Sequence, residues 1–253
     1  MQELDPSRAR VFGATAEDYE RWRPAYPVDA VDWLLPPGAT RVADVGAGTG
    51  KLTGVLLSRG VAVAAVEPDP AMLAVLRRER PAATPHLAPA ERLPLPDASV
   101  DAVLAGQAWH WFDHAAAVAE VRRVLRPGGR LGLVWNGPRP RDRWEIELAH
   151  LDPDTRDHDF TADSEQPYGE SMEVPGLPAG ELEQRTFPWL REIGGAALRG
   201  RLRTHSAFVV MAPAERDALL DAMVAVVEAE AARRGTATVP LRQAAHCVRW
   251  SPR

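Results

Sequence analysis

The chain is poor in the residues that build covalent or metal scaffolds, with one cysteine, Cys247, and one lysine, Lys51. A lone cysteine excludes an intrachain disulfide and a thiolate-rich metal cluster, and its β-type surroundings predict a small buried residue rather than a nucleophile. No apolar run approaches the roughly 20 residues of a membrane-spanning helix. The opening Met-Gln-Glu-Leu-Asp lacks the basic-then-apolar order of a secretory leader, so a soluble cytoplasmic protein is expected. Nearly all positive charge is arginine, net charge is a mild -5, and no basic patch stands out, which argues against a nucleic-acid partner. What is present is ordinary for a globule: 253 residues at 45% hydrophobic and 26% charged suffice for one α/β domain with a sizeable core.

The most informative stretch is 42–50, Val-Ala-Asp-Val-Gly-Ala-Gly-Thr-Gly. A short β-type run delivers Asp44 into a loop with glycines at 46, 48 and 50, and 51–59 then reads as a helix. Three glycines so close permit unusual φ/ψ and let a ligand rest against bare backbone. The dinucleotide spacing G-x-G-x-x-G fails, because it would place glycine at Lys51 or at Thr53. A phosphate loop of the G-K-[ST] type fails too, since Leu52 follows Gly50-Lys51.

Strands and helices alternate beyond that loop. Apolar 61–66 reads as a buried strand ending in Glu67-Pro68-Asp69-Pro70, followed by a helix over 70–80 that carries Met72, Leu73 and Leu76 on one face. A short strand at His86-Leu87, a strand at 99–106, a helix at 113–125 stopped by Arg126-Pro127-Gly128-Gly129, and a strand at 130–136 complete the regular part. Residues 137–182 are irregular apart from a helix at 142–150, and 183–190, 213–234 and 239–250 read as strand, long amphipathic helix and final strand. This pattern predicts a Rossmann-like α/β fold, a mostly parallel sheet with helices on both faces and its site at the carboxyl ends of the strands.

Asp44 to Gly50 matches D-x-G-x-G-x-G at every defined position, and on it the chain resembles the class I S-adenosylmethionine-dependent methyltransferases. The resemblance continues through Glu67-Pro68-Asp69-Pro70-Ala71-Met72-Leu73 and Ala90-Glu91-Arg92-Leu93-Pro94. At Gln107-Ala108-Trp109-His110-Trp111-Phe112 it reaches a small-molecule branch that includes trans-aconitate methyltransferase-like proteins. It implies seven strands with the last, Val239 to Trp250, antiparallel between the fifth and sixth, and S-adenosyl-L-methionine as cofactor.

By the resemblance, Gly46, Ala47, Gly48, Thr49 and Gly50 form the methionine side of the cofactor site with Asp44 at the strand end orienting that loop, Glu67 and Pro68 meet the ribose, and Met72, Ala90 and Glu91 lie around adenine. Gln107 and Trp109 flank the sulfonium, whose charge suits an aromatic face. Arg23, in the segment from Phe12-Gly13 to Pro27, offers a fork for the cofactor carboxylate. Tyr19, Trp111 and His205 are candidates for the acceptor, and His110 for catalysis, as an acceptor ligand or a base. Arg203 and Trp189 are further candidates for the acceptor pocket. For several of these a bland role stays open: core packing for Met72 and the tryptophans, a solvated acid for Glu91, and a surface helix paired by Glu20 and Arg23.

The expected division of this single domain is an N-terminal lid at 1–36, a cofactor-binding core at 37–136, and a substrate cap with C-terminal strands at 137–253. Asp152, Asp154, Asp157, His158 and Asp159 read as a solvated turn and not as a metal site. A monomer or homodimer methylating a small molecule by in-line displacement is therefore expected. A nicotinamide-dependent oxidoreductase and a nucleotide-binding protein without turnover are the competing readings.

Overall fold

The computed structural model describes residues 16–158, 160 and 173–252, and the expected lid residues Phe12 and Gly13 and the acidic Asp159 lie outside them. Seven strands form one sheet in the order β3-β2-β1-β4-β5-β7-β6. They are β1 Arg41–Val45, β2 Ala62–Glu67, β3 Thr84–Leu87, β4 Val100–Gly106, β5 Leu125–Pro138, β6 Glu183–Ile193 and β7 Val239–Trp250. The first five run parallel, while β7 pairs antiparallel with both β5 and β6. The central strands β1 and β4 are buried almost throughout, which is why they read as continuous apolar runs rather than alternating ones.

Helices α1 Ala16–Trp22 and α2 Val28–Leu34 precede the sheet, and α3 Lys51–Ser58, α4 Pro70–Glu79 and α5 His114–Val124 cross between its strands. Helix α4 starts where Pro70 follows Asp69, whose carboxylate accepts from the Ala71 and Met72 amides; Asp113 caps α5 in the same way. One apolar layer, with Val103, Val121, Leu131 and Leu133, lies under α5; another, with Leu34, Leu56, Val63 and Leu104, lies under α2 and α3 on the opposite face. Thus the strand ends are fixed from both sides.

Two sequence expectations needed correction. Arg126-Pro127-Gly128-Gly129 does not separate helix from strand: α5 ends at Val124 and β5 starts at Leu125, with an irregular register opposite Val100 and Ala102 and with φ +80° at Gly128 absorbing the bend. Between β6 and α9 Pro213–Arg234, two helices were not foreseen, α7 Gly195–Leu202 and α8 Ser206–Val209. Gly-Ala-Ala-Leu-Arg-Gly-Arg-Leu carries two glycines and no long apolar stripe, so tertiary packing makes α7 helical.

Helices α6 Arg143–Leu151, α7 and α9 form a cap with its own core of Leu148, Leu198, Leu202, Phe208, Met223 and Val227. Glu145 ties this cap to the sheet. Its buried carboxylate accepts from the Arg141, Asp142 and Arg242 amides, at 2.8–3.1 Å, and from the Arg242 guanidinium at 2.8 Å. Glu145→Ala would strand these donors at the α6–β7 junction, and chemical denaturation should show a loss of about 2–4 kcal/mol. Arg242→Ala, whose side chain is partly solvated, should cost less.

Candidate functional site

A cavity of about 320 Å³ opens above the carboxyl ends of β1, β2, β4 and β5 and runs beneath the cap. Its floor is the glycine loop. Gly46 adopts φ +69° and packs so closely that a Cβ would lie 2.6 Å from that of Ala108, whereas a Cβ on Gly48, φ +56°, would meet nothing within 4 Å. Gly46 is therefore bare for packing, and Gly48 presents open backbone to the cavity.

Glu67, at the end of β2, is buried and lines the cavity. Its Oε2 accepts from Gly48 N at 2.8 Å and its Oε1 from Asp69 N at 2.9 Å, so each oxygen keeps capacity for a further donor. Burial pushes its pKa up to about 6, against the pull of those two amides. Asp44 does not reach the cavity. It is fully buried, its Oδ2 accepts from Thr53 Oγ1 at 2.6 Å, and its Oδ1 has no hydrogen-bond partner among the described residues. Burial raises its pKa to about 7, and the nearby Glu67 charge adds to the rise.

Other predicted cofactor residues divide between cavity and framework. Pro68, Met72, Gln107 and Arg23 line the cavity beside Gly46, Gly48 and Glu67. Ala47 is packed into the core against Leu76, Thr49 donates to Glu20 at 2.8 Å, and Gly50 caps α3 in the left-handed region. Ala90 is a core residue, and Glu91 accepts from the Asp113 amide at 2.7 Å, which fixes the start of α5. Neither lines this cavity. Trp109 is a correction of the same kind: the short turn Trp109–Trp111 sends it into the core, edge-on to Phe112 with its indole N–H on Pro175 O, while His110 and Trp111 face the cavity.

His110 is largely buried, which lowers its pKa to about 4, so the ring is neutral at physiological pH. Its Nδ1 accepts from Trp135 Nε1 at 3.4 Å, which leaves the ring hydrogen on Nε2. The ring can then donate a hydrogen bond into the cavity but has no free base there. Gln107, beside it, holds φ +56°, a strained value for a residue with a side chain, and its Nε2 donates to Asn136 O at 2.8 Å.

The N-terminal helix closes one side. The alternative of a surface helix paired by Glu20 and Arg23 does not hold: Glu20 meets Lys51 at 3.2 Å and Arg80 at 2.9 Å, while Arg23 donates to Thr204 Oγ1 at 2.8 Å and to Thr204 O at 2.9 Å. Tyr19 lines the cavity beneath the Arg23 guanidinium, 5.2 Å from its ring centre. From the cap side come His205, Arg201, Leu198, Leu202 and Met223. Arg203 points out to Asp217 at 3.5 Å, and Trp189, on β6, packs against the apolar layer of Leu34, Val63 and Leu104, so neither lines the cavity.

The acidic stretch also required correction. Residues 153–157 do form a turn in which Asp154 and Asp157 are exposed, but Asp152 and Asp154 also line the cavity, and burial raises the Asp152 pKa to about 6. Sequence reasoning missed Asp152, Arg201 and Asn136. The Asp-rich run was visible for the first, but Arg201 is one arginine among many and Asn136 merely ends a strand. No group of three or more His, Cys, Asp or Glu suited to a metal ion occurs among the described residues.

The strand order, the antiparallel β7, the glycine loop and a strand-end acid together define the class I methyltransferase fold. A family model described as "Methyltransferase domain" matches residues 43–133. A solved structure described as a type II methyltransferase of Anaeromyxobacter dehalogenans is 31% identical, covers 90% of this chain and 96% of that one, and superposes with a TM-score of 0.67. An uncharacterized methyltransferase of Mycobacterium tuberculosis is 58% identical over 140 residues, 55% of this chain and 58% of that protein. A demethylmenaquinone methyltransferase of Thermus thermophilus is 37% identical over 142 residues, 53% and 61% respectively. The chain belongs to the class I S-adenosylmethionine-dependent methyltransferases, and its matched part spans a little over half of these two relatives.

The two buried acids make stability pH-dependent in a set direction. A folded pKa near 7, against the ordinary 3.8, means that Asp44 binds its proton more tightly when folded, so its contribution to stability falls as pH rises from about 4 to about 7. Asp44→Asn removes that fall. Between pH 4 and pH 8 the unfolding free energy of the ligand-free variant should gain on the native protein by about 2–4 kcal/mol, read by urea titration at each pH. An unchanged difference would count against a protonatable Asp44.

Proposed function

We propose that this chain transfers a methyl group from S-adenosylmethionine to a small-molecule acceptor by direct in-line displacement. The observation that carries the reading is one cavity shared by Gly48 and Glu67 on the strand-end side and by the cap residues Leu198, Leu202 and Met223 on the other. Donor and acceptor would thus meet in one space, partly screened from solvent. Its partly apolar, concave lining suits a small molecule rather than a polymer, and the Thermus thermophilus relative is named for a small-molecule acceptor.

The residues present fit the cofactor. Glu67 would take the two ribose hydroxyls on the free capacity of its oxygens, and Gly48 would present bare backbone to the methionine chain. Met72 and Pro68 would bound the base, and Arg23 would meet the carboxylate with the part of its guanidinium not used by Thr204. When bound, the cofactor supplies an electrophilic methyl on a sulfonium. Positioning and exclusion of water by the lid and cap then account for much of the rate, without a nucleophilic side chain. Trp111 and the donor face of His110 would orient the acceptor.

Calorimetry with S-adenosylmethionine and S-adenosylhomocysteine tests the cofactor half. Micromolar binding of both is expected, and Glu67→Ala should weaken it by about 10- to 100-fold, the value of a charge-assisted pair to hydroxyls. No binding of either at high micromolar concentration, or binding indifferent to Glu67, would end the reading.

A further inference from the structure

The cavity wall holds a carboxylate that the fold satisfies on one oxygen only. Asp152 follows α6 and lines the cavity, its carboxyl group buried although part of the residue stays accessible. Its Oδ1 accepts from Asp154 N at 3.0 Å, which shapes the turn after the helix. Its Oδ2 accepts from no described residue and is not sealed inside the protein. Arg201 and Arg23 act on this carboxylate through space, yet both are bonded elsewhere, Arg201 through Nη2 to Gln243 Oε1 at 3.1 Å and Arg23 through Nε and Nη2 to Thr204. A buried carboxylate with an open oxygen is unfavourable until a donor or a cation meets it. We propose that Asp152 binds the α-ammonium group of the cofactor's methionine end; this rests on the methyl-transfer reading above.

Two features favour that group. In an α-amino acid the ammonium and the carboxylate share one carbon, so the side chain that receives the first must stand beside the one that receives the second. Arg23 is the side chain assigned to the carboxylate, and Asp152 lies within its electrostatic reach. The second feature is the balance of charge. Around Asp152 stand Arg23 after α1, Arg201 of α7, Asp154 after α6 and His205 before α8, whose ring burial and the two guanidinium groups keep neutral at physiological pH. A lone ammonium brought by an acceptor would add net positive charge beside two arginines. The amino-acid end of the cofactor brings its own carboxylate and adds none. Burial raises the Asp152 pKa to about 6 against the pull of the Asp154 amide and the two arginines, so the carboxylate is ionised at pH 7 and the contact weakens as pH falls through that range. Asp152 ends the helix that Glu145 fastens to β7, and through it the cap takes part in holding the cofactor.

Calorimetry on the full chain with three probes tests this: S-adenosylhomocysteine, its analogue without the amino group, and 5′-methylthioadenosine, which lacks the whole amino-acid end. Asp152→Asn keeps the oxygen that accepts from Asp154 N and removes the charge. At pH 7 it should weaken S-adenosylhomocysteine about 10- to 50-fold and leave the other two probes within about twofold. The ratio of native to variant affinity for S-adenosylhomocysteine should shrink from pH 7 to pH 5 as Asp152 takes up its proton, while Glu67, common to both proteins, cancels from that ratio. Unchanged affinity for S-adenosylhomocysteine overturns the proposal and assigns Asp152 to the acceptor. An equal loss for 5′-methylthioadenosine or for the analogue without the amino group overturns it too, because the ammonium would then carry none of the effect. A native protein that binds none of the three probes sinks the methyl-transfer reading and this assignment with it, and that outcome is read before any variant is compared.

Discussion

Two carboxylates held under a glycine loop set the terms for the rest of this molecule. Asp44 and Glu67 end adjacent parallel strands, and both are buried. Burying an acid is costly unless donors surround it. Gly48 N of the loop reaches Glu67 and Thr53 of α3 reaches Asp44, while Gly46 N and Ala47 N, bonded to Val66 O at 2.9 and 3.1 Å, fasten the loop to β2. Loop, strand and helix are thereby one unit, and left-handed backbone at 46, 48 and 50 is the conformation that lets the amides turn inward. The donors fall short of full compensation, which is why both acids stay easier to protonate than an exposed carboxylate. A ligand bringing hydroxyl donors to Glu67 would complete the set.

The parallel half of the fold was legible because its signals are local and redundant. The run 42–50 announces strand, turn and helix within nine residues, and burial on both faces makes β1, β2 and β4 read as apolar runs of strand length. Even β7 was placed correctly, by the resemblance that also named the cofactor. The site was legible in part. Gly46, Gly48, Glu67 and Met72 stand in the cavity, but Trp109, Ala90 and Glu91, equally prominent in sequence, belong to the framework. A three-residue turn sends neighbouring side chains to opposite sides, and no periodicity in Trp-His-Trp reveals which goes where.

The cap was the least legible part, for a different reason. Its residues come from α6, α7, α9 and the start of β7, separated by up to about a hundred positions, and become neighbours only through packing. Arg201 has the composition of a solvated helix arginine, yet it lies buried with its Nη2 on Gln243 Oε1 at 3.1 Å. Asp152 looks like a turn acid and ends under the cap. Chemistry in this half is made by long-range juxtaposition, so the acceptor is where a single sequence says least.

That division leaves helix α1 as the element that joins the halves. Helix α1 binds the cofactor side through Glu20, which receives Thr49, Lys51 and Arg80, and the cap side through Arg23 on Thr204. Trp22 reinforces the second contact by packing flat against Gly200, where any Cβ would collide with the indole. Individual ion pairs of this kind contribute on the order of 1 kcal/mol or less. These few bonds fasten α1 at both of its ends, so the helix and Arg23 after it stand between the two sides of the cavity. Tyr19 and Arg23 line the cavity that Gly46 and Gly48 also line, and the Arg23–Thr204 bonds steady the turn that precedes His205. The strand-end side and the cap side of the cavity are therefore tied together through one short helix, by contacts that neither half makes alone.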